Sequence, residues 1–250
     1  MLDLGLSQWI IAALVALMIG FSKTGIPGAG ILAVPLMAII MPAKESTGFL
    51  LPILALADIL AILYWKRHVD WGQLRQLFIP WTFIGVVVGY AVMLHVRSEQ
   101  LKPIIGVIIF VLVTSSWLRD RMVSDDAIPT HPAFAAAMGL LAGTLSMMAN
   151  AAGPVMILYL LAHRFDKKRF IGTQAWFFWI LNLSKMPFSI AQGLVTWPSF
   201  FTNLTLIPII LAGGLLGIFL VHRISQKAFN GTVRLLAAGA ALKLCQGWFG

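Results

Sequence analysis

The chain has 250 residues, of which 60% are hydrophobic and only 11% charged. Soluble domains carry about a quarter charged residues, so this composition excludes a water-facing globular surface. The net charge of +9 is what a nucleic-acid binder would show, but the basic residues gather in short loops, as membrane topology signals do, and no nucleic-acid partner is expected.

Residues 4–22, 24–43, 127–163 and 186–222 contain no Asp, Glu, Lys or Arg. A helix needs roughly 20 mostly apolar residues to cross about 30 Å of hydrocarbon, and the alternating segments of a β-barrel are missing. The expected fold class is therefore an all-α integral membrane protein. In chain order, apolar segments are expected near 8–21, 28–41, 46–65, 76–94, 101–117, 132–148, 151–162, 170–191, 201–221 and 230–248. The first, second and seventh are too short to cross at 1.5 Å per residue and read as broken or re-entrant half-helices. The N-terminus lacks a basic stretch and a cleavage site, so the first segment reads as retained. The single cysteine, Cys245, excludes an intrachain disulfide and a cysteine-rich metal site.

The first break, "GFSKTGIPGAG" (20–30), sets Lys23 between Ser22 and Thr24 and follows it with Gly25, Pro27, Gly28 and Gly30. A second break, "SMMANAAGP" (146–154), holds Ser146, Asn150 as an N-cap of the next segment, Gly153 and Pro154. These two stretches belong to an internal repeat. Gly20 and Gly30 align with Gly143 and Gly153, and Lys23 falls on Ser146. Asp58 falls on Asn182, "VDW" (69–71) on "VTW" (195–197), and Pro80, Gly85 and Gly89 on Pro208, Gly213 and Gly217. The offset drifts only from 123 to 128. The chain thus divides into a first repeat (1–117), a polar linker (118–131) and a second repeat (132–250), each of five elements.

An odd number of elements gives the copies opposite orientations, and loop charge agrees. Lys66, Arg67 and Arg75 lie in one loop whose partner, 192–200, is uncharged; Arg164, Lys167, Lys168 and Arg169 lie where the first copy has only Lys44 beside Glu45. Loops 66–75, 118–131, 163–169 and 222–229 are expected on the cytoplasmic side, with both termini outside. Trp65, Trp71, Trp81, Trp117 and Trp197 sit near segment ends and read as interfacial anchors, whereas Trp176 and Trp179 lie inside a segment and read first as packing.

Irregular backbone at membrane depth survives only where protein or a watery cavity covers it. Paired Gly/Pro-interrupted segments in two repeats point to the binding site of a secondary transporter, where half-helix N-termini attract anions. Packing through small residues is the competing explanation; it accounts for Gly85 and Gly213 but not for Lys23. Lys23, Asp58 and Lys185 are the ionisable residues deep in the segments, and such groups default to functional roles. Two arrangements stand side by side: a structural Asp58–Lys185 ion pair, or a pair that substrate or a proton interrupts. Ser184 and Pro187 flank Lys185 as a local break. Met147 and Met148 lack Cys or His neighbours and read as packing rather than as metal ligands.

"GFSKTGIPGAGILAVPLM" (20–37), "RHVDWGQL" (67–74) and "GVVVGY" (85–90) together resemble the sulfite exporter TauE/SafE family of inner-membrane proteins. The resemblance spans the whole chain and departs in "SKTGIPGAG", where many members carry a plainer glycine run. It implies transport of sulfite, sulfonates or related small anions. The expected site comprises Ser22, Lys23, Thr24, Gly25, Gly28, Ser146, Asn150, Gly153, Asn182 and Lys185, with Asp58 coupling or tuning it. Expected partners are the anion, a coupling proton or sodium ion and the bilayer, with a homodimer as an open alternative; no cofactor or metal is expected. The rival class is an assembly factor or enzyme subunit with no transport of its own, although no nucleophile–base pair or metal cluster supports an enzyme.

Overall fold

The computed structural model describes residues 4–25, 29–97, 132–162 and 167–220, with isolated positions between 99 and 114 and residue 223. Among these residues every regular element is helical. The helices are α1 (Leu6–Thr24), α2 (Ala33–Ile40), α3 (Ala43–Trp65), α4 (Trp71–Leu77), α5 (Phe83–His95), α6 (Pro132–Ala149), α7 (Gly153–Ala162), α8 (Lys167–Ala191), α9 (Trp197–Thr205) and α10 (Ile207–Leu220). The linker 118–131, the segment 230–248 with Cys245, and most of 101–117 lie outside the described residues.

Local chemistry sets the boundaries. Helix α1 runs on through Ser22, Lys23 and Thr24 and ends at Gly25. At 19 residues it is long and apolar enough to cross a membrane, which corrects the expectation of a half-helix there. The polar triplet stays helical because each of its side chains finds a partner inside the protein. Helices α2 and α7, with 8 and 10 residues, are as short as expected. Two short helices were not anticipated. Asp70 opens α4 by accepting the Gln73 amide at 3.0 Å, and Thr196 opens α9 by accepting the Ser199 amide at 3.3 Å. These caps are repeat-equivalent and carry out the same task. A π-helical turn (Phe78–Thr82) containing Pro80 joins α4 to α5, and a 50° bend joins α9 to α10 just before Pro208. Each proline lacks an amide hydrogen, so each matched segment divides at the same place.

Three helix pairings form the centre: α1 on α10, α5 on α6, and α3 on α8. Each joins the first half of the chain to the second, and the close approaches correspond position by position. A Cβ at Gly20 would strike the Ile210 carbonyl, while one at Gly143 would strike that of Thr82. Gly213 meets the Leu17 carbonyl and Gly85 that of Leu140; Gly48 meets the Leu194 carbonyl and Gly172 that of His68. Both members of every contact are related to the other contact by the repeat offset. Backbones can touch this way only without a side chain between them. A core of Ile19, Met37, Leu50, Ile53, Met147, Met148, Tyr159 and Phe177 fills the space between helices; the two methionines pack there as expected.

Candidate functional site

Where α1, α3, α6 and α8 converge, the deep ionisable residues form two adjoining clusters. Asp58, on α3, is wholly buried. One of its carboxylate oxygens faces the Lys23 ammonium at 2.7 Å. The other accepts the Asn182 amide at 2.7 Å. Lys23 also lies over the Phe178 ring, 4.0 Å from its centroid. The two repeat-equivalent residues, Asp58 and Asn182, thus bond to each other.

The second cluster surrounds Lys185, 1% exposed. Its ammonium donates to the Ser146 carbonyl at 3.1 Å, the Ser146 hydroxyl at 2.8 Å and the Asn150 side-chain oxygen at 2.7 Å. All three acceptors are neutral. The Ser146 carbonyl lies in the last turn of α6, where the helix dipole favours a cation. Asn150 donates its amide to the Thr47 carbonyl at 3.0 Å, which fixes the orientation of its oxygen toward Lys185.

These contacts correct two expectations. Asp58 and Lys185 do not pair directly: Lys23 and Asn182 take up the carboxylate, and Lys185 turns to the second break. Asn150 does not cap α7; it closes α6 in the left-handed conformation, φ 50°, a position asparagine tolerates better than most residues. Moreover, α8 continues through Pro187 to Ala191, so the proline does not divide it.

The remaining expected residues are divided between site and scaffold. Ser22 accepts the Gly30 amide at 3.0 Å and so ties the ends of the first break together. Thr24 donates to the Gly214 carbonyl at 2.7 Å, in the α1–α10 contact. Its own carbonyl accepts the Trp65 indole at 3.0 Å; Trp65 is 4% exposed and serves as an internal brace rather than an interfacial anchor. The Gly25 amide donates to Phe21, and a Cβ there would come within 2.7 Å of the Gly217 Cα. Gly153 differs: a Cβ at this first residue of α7 would meet nothing within 4 Å. Gly28 and Pro27 lie outside the described residues. Phe178 and Thr47 were not foreseen. The signal for Phe178 was its spacing, since positions 178, 182 and 185 share one face of a helix.

A further cluster sits at one end of the bundle. The Arg169 guanidinium, at the start of α8, pairs with Asp70. The Asp70 amide donates to the Thr173 hydroxyl at 2.9 Å. Partial burial pushes the Asp70 carboxyl up, but the Gln73 amide and Arg169 outweigh it and hold it below the usual carboxylate value. Tyr159 donates to Gln73 at 2.9 Å. Two of the expected basic loops therefore meet at the same end of the molecule.

The apolar helices accord with the family comparison. The family model described as "Sulfite exporter TauE/SafE" matches residues 12–244. The chain belongs to the TauE/SafE family. TauE/SafE proteins are transporters rather than enzymes, and the match together with the apolar helices makes this a multi-pass membrane protein. No curated protein and no solved structure matches the chain.

Proposed function

We propose that this TauE/SafE protein is a secondary transporter moving a small anion, sulfite-like or an organosulfonate, across the bacterial inner membrane. The observation that carries the reading is Lys185: a buried ammonium whose partners, Ser146 and Asn150, are all neutral. A cation in that position at membrane depth is costly without a counter-ion, which a bound anion would supply. The anion would replace Ser146 and Asn150 contacts at Lys185. The open space at Gly153 would admit it to the N-terminus of α7, where free amides favour negative charge. Asp58, held by Lys23 and Asn182, would be the coupling element for a proton or sodium ion.

The two halves are read as inverted repeats, each of about five elements. Support comes from the matched glycine contacts, the matched caps at Asp70 and Thr196, and the meeting of basic loops at one end. The positive-inside rule then sets that end in the cytoplasm and both termini outside.

Purified protein in sealed liposomes, challenged with labelled sulfite, sulfonates and carboxylates, tests the function. Uptake by the protein alone, lost in Lys185→Met, is expected. Absence of uptake for every anion with folded protein would favour the assembly-factor reading instead.

A further inference from the structure

Lys23, Asp58 and Lys185 are the ionisable residues of the two clusters, two bases against one acid. Lys23 and Asp58 neutralise each other at 2.7 Å. Lys185 remains, its three donors spent on a carbonyl, a hydroxyl and an amide oxygen. Among the described residues no carboxylate lies within ion-pair distance of it, and the formal charges acting on it are those of Lys23 and Asp58. The α6 terminus contributes a partial dipole but no formal charge. With Lys185 protonated, the two clusters together therefore carry one positive charge that has no carboxylate partner among the described residues.

We propose that the site admits one net negative charge, and that Asp58 is the residue that sets this limit. The inference rests on the anion-transporter reading and adds valence to it. A monoanion on Lys185 brings the buried ensemble to neutrality. A dianion leaves one negative charge in a water-poor interior, beside a carboxylate that is already fixed in place. Interaction between charges is much stronger there than in water, so the second charge is rejected unless a proton accompanies it. Organosulfonates carry a single charge and satisfy the count as they are. Sulfite satisfies it in its singly protonated form. Asp58 thereby works as a specificity-determining residue although it need not touch the substrate.

Methanesulfonate and sulfate are suitable probes because both are small tetrahedral oxyanions that differ chiefly in charge. Their dissociation constants would be measured by calorimetry on the purified full-length protein at matched ionic strength. Wild type should bind methanesulfonate at least ~10-fold more tightly than sulfate. Asp58→Asn raises the count to two and should shrink or reverse that ratio. Asp58→Asn combined with Lys23→Met returns the count to one, without a stranded lysine, and should restore the preference for methanesulfonate. Equal affinity for both anions in wild type overturns the charge limit while leaving anion transport intact. A ratio that the double variant fails to restore points to shape rather than charge and also overturns it. Failure of every small anion to bind folded wild-type protein defeats the transporter reading itself. The wild-type ratio and the double variant decide the matter even if Asp58→Asn alone does not fold.

Discussion

At the scale of single residues, the Lys23–Asp58 pair and the Lys185 cluster differ in what their removal exposes. Asp58→Asn strands the Lys23 ammonium in a site where it is only 12% exposed. Breaking a buried pair from one side costs about 3–5 kcal/mol, whereas replacing both partners by neutral groups is often close to neutral. Thermal unfolding in detergent should therefore show a marked loss for Asp58→Asn and recovery of most of it in the double variant with Lys23→Met. A double variant as unstable as the single one would mean that Lys23 is not the partner that matters. The sequence made the three deep ionisable residues legible, because charge is so rare in these segments. It did not make their partners legible: pairing of Asp58 depends on how α1 lies against α3, and nothing local in the sequence distinguishes Lys23 from Lys185 as the nearer cation.

At the scale of helices, the distinction between packing glycines and site glycines becomes measurable. A methyl group at Gly143 would collide with the Thr82 carbonyl on the neighbouring helix. Gly143→Ala should cost about 1–3 kcal/mol, the usual range for overpacking, seen as a lowered melting temperature. Gly153→Ala has room for its methyl and should leave melting unchanged while reducing anion uptake. Unchanged uptake would remove Gly153 from the site. Glycine spacing in the sequence revealed the repeat but could not separate these two uses, since both place glycine at the same kind of position. The α4–α8 contact through Asp70 and Arg169 has a pH signature of its own. Because the folded carboxyl titrates below its ordinary value of 3.8, its stabilisation is complete above that value and is lost as pH falls through the depressed one. Melting of wild type and Asp70→Asn should differ near neutral pH and converge in acid. A constant difference down to the most acidic buffer would rule out this ion pair as the cause.

At the scale of the whole molecule, the proposed inverted repeat makes a prediction about sidedness. In a cysteine-free background, Glu45→Cys and Lys168→Cys occupy exposed, repeat-equivalent positions. They should react with impermeant thiol reagents from opposite sides of the membrane, position 168 from the cytoplasm. Reaction of both from one side would end the inverted-repeat reading. The all-helical membrane class was readable beforehand, since hydropathy is a sum over many residues and tolerates local error. What escaped was the extension of α1 to Thr24, the short helices α4 and α9, and the burial of Trp65. The extension of α1 and the burial of Trp65 depend on partners distant in the chain, whereas α4 and α9 open on local caps that a reading by apolar segments passes over.

The distribution of those partners bears on how the protein is made. Lys23 finds Asp58 within the first half, and Lys185 finds Ser146 and Asn150 within the second. The large interfaces, by contrast, run between halves, with α1 on α10 and α5 on α6. As the ribosome releases the chain, each half can shield its own deep charges on entering the lipid, before the other half exists. Docking of the halves can follow later, as in assembly of two subunits. Two separate polypeptides, cut within the linker 118–131, should therefore insert independently, co-purify when produced together, and regain anion uptake. Either half alone should insert but remain inactive. Degradation of the first half when it is produced without the second would show that its charges are not self-sufficient.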